Sequence, residues 1–308
     1  MCAALAGCGH LSRKSQPGPL FRATGGLPPM ADVQPRGHVA VPMVDNAPHT
    51  VPVVRARLNG GDSFPLVLDS GGNHTMIGKQ RADRERLIAL GGRGQITTAF
   101  GNQGSTRLAL ADRMELGRLS FIGMPVLVHD FGRSTLSSTL GGELNVLGTP
   151  AMAAFSYITF DYHARQVYFS YRDRFDVPSR DRALRLPLRL TKEGHLSAPI
   201  TFPNGMTRHA IVDTGYDGVL LMSRATLEAL DLTPYAQKGR PVRAIGPGAE
   251  LDGRVFMIPS ITLDGRPFPN IETWSGSIEE PLLLGSGLMR YFKATFDFRR
   301  MTLWLEMR

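Results

Sequence analysis

Apolar residues along this chain come in short runs, and the runs are separated by Gly, Pro, Asn and Asp. VPVVRARLNGGDSFPLVLD (51–69) reads as strand, Asn-Gly-Gly turn, strand, the pattern of a β-hairpin. KQRADRERLIAL (79–90) then predicts a short polar helix with Leu87, Ile88 and Leu90 as its inward face. The Gly-rich GGRGQITTAFGNQGSTRLAL (91–110) predicts two strands joined through Gly101 to Gly104, and MELGRLSFIGMPVLVHD (114–130) supplies further strands. NVLGTPAMAAFSYITFDYHARQVYFS (145–170) reads as an apolar strand into Gly148, one helical turn, and a hairpin containing Phe160 and Asp161.

This order of elements is written twice. LSAPITFPNGMTRHAIVD (196–213) is again strand, Asn-Gly turn, strand, and SRATLEALDL (223–232) is the short helix, with Ser223 as its N-cap. Gly246-Pro247-Gly248 takes the place of the first Gly-rich turn and reads as a plain loop, and RVFMIPSITLDGRPF (254–268) gives strands about an Asp-Gly turn. LLLGSGLMRYFKATFDFRRMTLWLE (282–306) repeats the end of the first half. From Asp69 to Gly148 is 79 residues and from Asp213 to Gly285 is 72; from those glycines to Asp161 and Asp297 is 13 and 12. Agreement at so long a period indicates a duplicated domain rather than a solenoid. The expected organisation is an N-terminal tether over 1–36, a first lobe over 37–178 and a second over 179–308.

Composition supports a β-rich reading. A length of 308 residues accommodates two domains, and 34 Gly with 22 Pro favours turns and short strands over long helices. The net charge of +8 raises the question of a nucleic-acid partner, so its position matters. Residues 1–36 carry +3, 172–189 carry +3 and 79–86 carry +2, a tail, a linker and one helix face. No aromatic interleaving or nucleic-acid motif accompanies them, and no nucleic-acid partner is expected. The two cysteines, Cys2 and Cys8, lie outside the folded body, which excludes a disulfide framework and a cysteine metal site. LAGC at Leu5–Cys8 resembles a bacterial lipoprotein processing site, although the apolar stretch before Cys8 is short. It implies lipidation at Cys8, membrane anchoring and a periplasmic or outer-membrane lipoprotein; a chance small-residue N-terminus implies the cytoplasm.

One feature fits neither a plain core nor a plain surface. In FPLVLDSGGNHTMI (64–77) an aspartate ends a strand that is apolar on both faces, where an ionised group is costly. By itself Asp-Ser-Gly-Gly is ordinary turn chemistry. The same grammar returns in RHAIVDTGYDGVLLMS (208–223), with Asp213-Thr214-Gly215 after Ile211 and Val212. Two such words in matching contexts favour a shared origin over two chance turns.

On these residues the chain resembles the aspartic proteases, specifically the bacterial retropepsin-like group doubled as in the pepsin-like enzymes. The matching words are Asp69-Ser70-Gly71 and Asp213-Thr214-Gly215, a Gly-rich hairpin in each half, and Val146-Leu147-Gly148 with Leu283-Leu284-Gly285. The resemblance implies a mostly β, two-lobed β-barrel fold with pseudo-twofold symmetry. It further implies an endopeptidase whose catalytic pair is Asp69 and Asp213, supported by Ser70, Gly71, Thr214 and Gly215. Phe100 and Gly101 would belong to a flap over the substrate. The implied partner is a polypeptide substrate, the implied state a monomer, with no cofactor and no metal. Two carboxyls sharing one proton supply both the base that activates water and the acid such hydrolysis needs.

Two positions depart from the family pattern. Gly72 and Tyr216 stand where a small Ala, Ser or Thr is common; Tyr216 either crowds the cleft or brings a phenol to the aspartates. Tyr216 favours the alternative of a non-catalytic, peptide-binding envelope lipoprotein that kept the fold. A third alternative is an unrelated β-barrel lipoprotein for a hydrophobic ligand. Asp161, Asp217 and Asp297 read as structural, and the eight histidines show no zinc spacing. His74 reads as accessory or exposed, and Trp274 and Trp304 as core or cleft wall.

Overall fold

Val54, Ala56 and Leu58 face inward while Arg55 and Arg57 face solvent, the period-two alternation of a strand with one buried side, and Val53 at its start is buried on the opposite face against Val51 and Val67. Phe64, Leu66, Val67 and Leu68 are all buried, as befits a strand covered on both faces. The computed structural model describes residues 32–97, 103–132, 135–171, 173–246, 249–278 and 282–307. In the first half these form β1 (Asp32–Gln34), β2 (His38–Pro42), β3 (Val53–Leu58), β4 (Phe64–Asp69), β5 (Met76–Gly78), α1 (Lys79–Arg84), β6 (Ile88–Thr97), β7 (Gln103–Leu116), β8 (Leu119–His129), α2 (Thr135–Thr139), β9 (Val146–Gly148), α3 (Thr149–Met152), β10 (Tyr157–Asp161) and β11 (Gln166–Ser170). In the second they form β12 (Ala183–Pro187), β13 (Arg189–Leu190), β14 (Leu196–Thr201), β15 (Thr207–Asp213), β16 (Leu220–Ser223), α4 (Arg224–Ala229), α5 (Thr233–Gln237), β17 (Arg240–Gly246), β18 (Ala249–Leu263), β19 (Arg266–Gly276), β20 (Leu282–Gly285), α6 (Ser286–Met289), β21 (Lys293–Asp297) and β22 (Thr302–Glu306).

Each half closes on itself. The first sheet runs β1-β8-β5-β9-β4-β3-β7-β6, and an added β7–β8 pairing closes a barrel. The second runs β13-β14-β15-β20-β16-β19-β18-β17, closed by β14–β18. In both, the strand carrying the D-[ST]-G word lies parallel to the strand carrying the Leu-Gly word, with Asp69 opposite Gly148 and Asp213 opposite Gly285. The fold is mostly β and two-lobed, as the duplication and the resemblance implied.

A six-stranded sheet, β12-β22-β21-β10-β11-β2, joins the lobes. Its centre is the antiparallel pair β10–β21, where Thr159 faces Thr295 and their hydroxyls hydrogen-bond at 2.8 Å. The two residues hold equivalent places in the two halves, so the pseudo-twofold axis passes between them. The main apolar core runs through both barrels and this sheet, from Leu58, Phe64 and Phe121 to Phe160 and Phe296 and on to Leu220 and Leu284.

Three expectations need correction. The helix after the first aspartate ends at Arg84, where Arg86 takes a positive φ of 50° and turns the chain into β6. Of its expected inward face only Leu87 is buried; Ile88 and Leu90 are 50% and 45% exposed on the edge strand. Asp32–Gln34, assigned to the tether, pairs with Ile122–Ser120 of β8. Around Gly246 the chain makes a hairpin rather than a plain loop, since β17 and β18 pair as far as Gly246 opposite Ala249. The Ser223 cap is present, with its Oγ accepting from the Thr226 amide at 3.2 Å. Among the described residues no helix is long and apolar enough to cross a membrane.

Candidate active site

β4 and β15 end side by side at the boundary between the lobes. Their terminal aspartates face one another, and the Asp69 and Asp213 carboxyls share a hydrogen bond. Each stands on its own loop in the same way. Asp69 Oδ1 accepts from the Gly71 and Gly72 amides at 2.8 and 3.0 Å, and Asp213 Oδ1 accepts from Gly215 and Tyr216 at 2.8 and 3.1 Å. The loops press so closely that a Cβ on Gly71 would stand 2.5 Å from Asp213 Cγ, and one on Gly215 would stand 2.7 Å from Asp69 Cγ. Only glycine permits that approach.

The hydroxyls of the two words lock the loops together. Ser70 Oγ donates to Val212 O at 2.7 Å and accepts from Thr214 N at 3.0 Å. Thr214 Oγ1 donates to Leu68 O at 2.6 Å and accepts from Ser70 N at 2.8 Å. Both side chains are buried, so these four bonds are made out of water. The Leu-Gly words sit directly behind. A Cβ on Gly148 would lie 2.3 Å from the His74 carbonyl oxygen, and one on Gly285 would lie 2.2 Å from that of Gly218.

Electrostatics make the pair unequal. Burial raises both carboxyls above the ordinary range, because a charge deep in the cleft floor loses its hydration. At Asp69 the hydrogen bonds from Asp213, Gly71 and Gly72 and the nearby His195 oppose that rise. At Asp213 the charge on Asp69 adds to burial, and its pKa stands well above the ordinary value. Two like charges so close do not both ionise, so the pair holds one proton between them, and Asp213 is the carboxyl pushed further upward.

Tyr216 does neither of the things its size suggested. Its hydroxyl donates to Leu220 O at 3.3 Å, and its ring packs over Gly285 beside Ile211, Leu221, Trp274 and Leu283. It is turned into the wall of its own lobe, and burial pushes the phenol far above its usual range. Trp274 and Trp304 are both buried, as expected. Asp161 accepts from the Ala164 amide, and Asp297 holds Arg300 Nη1 at 2.6 Å; both are turn anchors. Phe100, Gly101 and Cys8 lie outside the described residues; the hairpin that leads to Phe100 and Gly101 is paired as far as Thr97 opposite Gln103. A separate cleft of about 600 Å³, lined by Thr50, Asp217, Phe268, Glu272, Arg290 and Tyr291 among others, has neither aspartate in its wall.

The histidines were passed over in the sequence, and the structure brings two of them to these loops. His195 Nδ1 lies 2.7 Å from Gly71 O, and His49 Nδ1 lies 2.6 Å from Asp217 Oδ2. Each comes from the opposite lobe. The available signal was register: His49 stands 20 residues before Asp69 and His195 stands 18 before Asp213.

Two closed barrels joined by a shared sheet, with paired D-[ST]-G loops meeting at the boundary, define an aspartic-protease-like fold. Residues 54–150 match the aspartyl protease family model. Among solved structures the chain is similar to an aspartic proteinase from Irpex lacteus, at 12% identity and a TM-score of 0.57, covering 88% of this chain and 97% of that one. It is also similar to basic 7S globulin from soybean, at 13% identity and a TM-score of 0.51 over 88% and 95% of the two chains. A third similar structure is conglutin gamma, a basic 7S globulin from lupine seeds, at 11% identity and 0.52 over 89% and 95%. At these identities the likeness concerns the fold. A search of curated proteins found no match.

Proposed function

We propose that the protein is an aspartic endopeptidase and that Asp69 and Asp213 act as one catalytic pair on a polypeptide substrate. The observation that carries this is the geometry of the two loops: four buried bonds of Ser70 and Thr214 lock them so tightly that a Cβ on either loop's glycine would meet the other's aspartate, and both carboxyls are raised above their ordinary range. A water between them attacks the carbonyl carbon of the scissile amide. Asp69 takes the proton that water releases, and Asp213 gives its own to the carbonyl oxygen. The resulting diol collapses as Asp69 returns the proton to the amide nitrogen, the C–N bond breaks, and Asp213 recovers a proton from the diol hydroxyl. Ser70, Thr214 and the loop glycines act only by holding the carboxyls in register.

The similar structures are a proteinase and two globulins by name, so the fold is compatible with a binding role as well. Tyr216 was the residue that favoured that alternative, and its phenol is bonded within its own lobe. The discriminating experiment is cleavage of a mixed peptide library across acid to neutral pH by wild type, Asp69→Asn, Asp213→Asn and the double variant. Each single variant should lose at least about a hundredfold in rate, and the double should be little worse, as for groups acting as a unit. Wild-type rates in Asp213→Asn would sink the pair. A folded wild type that cleaves nothing at any pH would support the peptide-binding protein. Lipidation at Cys8 remains part of the same reading, and mass spectrometry of the native N-terminus tests it.

A further inference from the structure

Each lobe reaches across the boundary with a turn that ends in, or just before, a histidine. In the second lobe the turn Thr191–Gly194 is closed by the Gly194 amide on Thr191 O at 3.1 Å, and His195 follows it. The His195 ring meets Gly71 O at 2.7 Å, and because a carbonyl only accepts, Nδ1 carries the proton. Glu193 O in that turn accepts from Asn73 Nδ2 at 3.3 Å, and Asn73 Oδ1 meets His74 Nδ1 at 2.7 Å. In the first lobe the turn Asn46–His49 is closed by the His49 amide on Asn46 O at 3.0 Å. His49 Nδ1 meets Asp217 Oδ2 at 2.6 Å, and Thr50 Oγ1 donates to Asp217 O at 2.9 Å. Thus the turn before the inner strand of each lobe grips the loop that follows the D-[ST]-G word of the other.

We propose that His195 is a positioning residue for the aspartate pair, holding the Asp69 loop from the opposite lobe, and that His49 is its counterpart on the Asp213 loop. This rests on the peptidase reading for its kinetic arm only. The Gly71–Gly72 peptide joins the two ends of the effect: its amide, Gly72 N, donates to Asp69 Oδ1 and its carbonyl, Gly71 O, receives His195. A shift of that peptide plane moves the carboxylate. His195 also acts on Asp69 electrostatically. The ionisable groups that feel its ring are Asp69, whose pKa it lowers, His74, which it also lowers, and Glu193, with Lys192 next in its own turn. The imidazole acts on Asp69 in the sense that favours the singly ionised pair, so removing it should raise the pH at which the pair first ionises.

The test separates the hydrogen bond from the charge. His195→Asn keeps a short amide donor for Gly71 O and cannot titrate, whereas His195→Ala removes both. On a cleaved peptide, His195→Ala should lower kcat about tenfold or more with KM within about twofold, the signature of a displaced catalytic group. His195→Asn should recover most of that kcat at the plateau, while the acid limb of the pH profile moves to higher pH in both variants. A kcat and pH profile equal to wild type in His195→Ala would overturn the proposal, as would an Asn variant no better than Ala. Independently of turnover, carbon-13 NMR titration of aspartate carboxyls, assigned through Asp69→Asn, should show the pair ionising at higher pH in His195→Asn. An unchanged titration overturns the charge role even if the protein proves to cleave nothing.

Discussion

Replacing Thr214 by valine removes one hydroxyl and almost no volume, so its cost measures the lock between the lobes rather than a cavity. Thr214 Oγ1 serves two buried backbone groups, accepting from Ser70 N at 2.8 Å and donating to Leu68 O at 2.6 Å. Valine leaves both without a partner where Ser70 and Leu68 are almost wholly inaccessible to water. An orphaned buried polar group costs about 1–3 kcal/mol, so the pair costs roughly 2–6 kcal/mol before relaxation. We commit to about 3 kcal/mol, because Ser70 Oγ still bonds Val212 O and Thr214 N and limits how far the loops drift. At about 2 °C per kcal/mol for a chain of this size, the melting temperature should fall by about 6 °C. Differential scanning calorimetry of Thr214→Val and Ser70→Ala, alone and together, is the assay. The double variant should fall short of the sum, since either loss loosens the bonds of the other. A drop below about 0.5 kcal/mol in Thr214→Val, the range of an ordinary surface change, would refute the lock as described.

Asp213→Asn should behave oppositely, keeping an Oδ1 for the Gly215 and Tyr216 amides while removing a group whose folded pKa is raised. Between the ordinary aspartate value of 3.8 and that raised value the folded chain binds more protons than the unfolded one, so wild-type stability falls as pH rises through the window. Denaturant titrations should show the variant gaining on wild type above that window and no gain below it; a variant weaker than wild type at neutral pH would count against this assignment. Gly148→Ala places a Cβ 2.3 Å from the His74 carbonyl oxygen, a backbone atom that cannot rotate away, and should cost about 1–3 kcal/mol in a thermal melt. Leu87→Ala should cost about 2–5 kcal/mol, while Leu90→Ser on the exposed edge strand should stay within about 0.5 kcal/mol; equal losses would restore the longer helix.

The parts of the fold legible in the sequence are those governed by local physics. Asn-Gly and Asp-Gly turns between apolar runs mark β3–β4 and β18–β19 because turn chemistry and alternation act within a few residues. The two D-[ST]-G words stand out because the same turn chemistry ends an apolar strand at matching places in both halves; either word alone reads as a turn. The helix after Asp69 was overextended because Leu87, Ile88 and Leu90 fit a helical face as well as an edge strand. Nothing within that window shows that β7 takes one side of β6 and solvent the other. His49, Asn73 and His195 left no local trace at all. Their partners lie 168, 120 and 124 residues away, and a contact between lobes follows no periodicity. Tyr216 was misjudged for a related reason: its size was visible, but the Leu220 carbonyl that turns it aside was not.

Duplication poses a problem that the cross-lobe contacts resolve. Two halves built alike would give two aspartates with equal claim to the shared proton, whereas acid and base work needs them unequal. The local differences are few. Both Oδ1 atoms receive two loop amides, and both loops back onto a Leu-Gly word. The histidines break the tie. His195 stands on the Asp69 side and favours that carboxylate. Its counterpart His49 is engaged with Asp217 and is not among the groups that act on Asp213. Asp213 instead neighbours the apolar wall of Tyr216, Ile211, Trp274 and Leu283, and burial is the largest cause of its raised pKa. Both influences act in the same direction, and with the charge on Asp69 they raise Asp213 more than Asp69. Since the bias depends on one imidazole and one apolar wall, placing a charge in that wall should act in the sense opposite to removing His195. Trp274→Arg, if it folds, should draw the pair's ionisation to lower pH, and a shift upward would show that the wall does not set the bias.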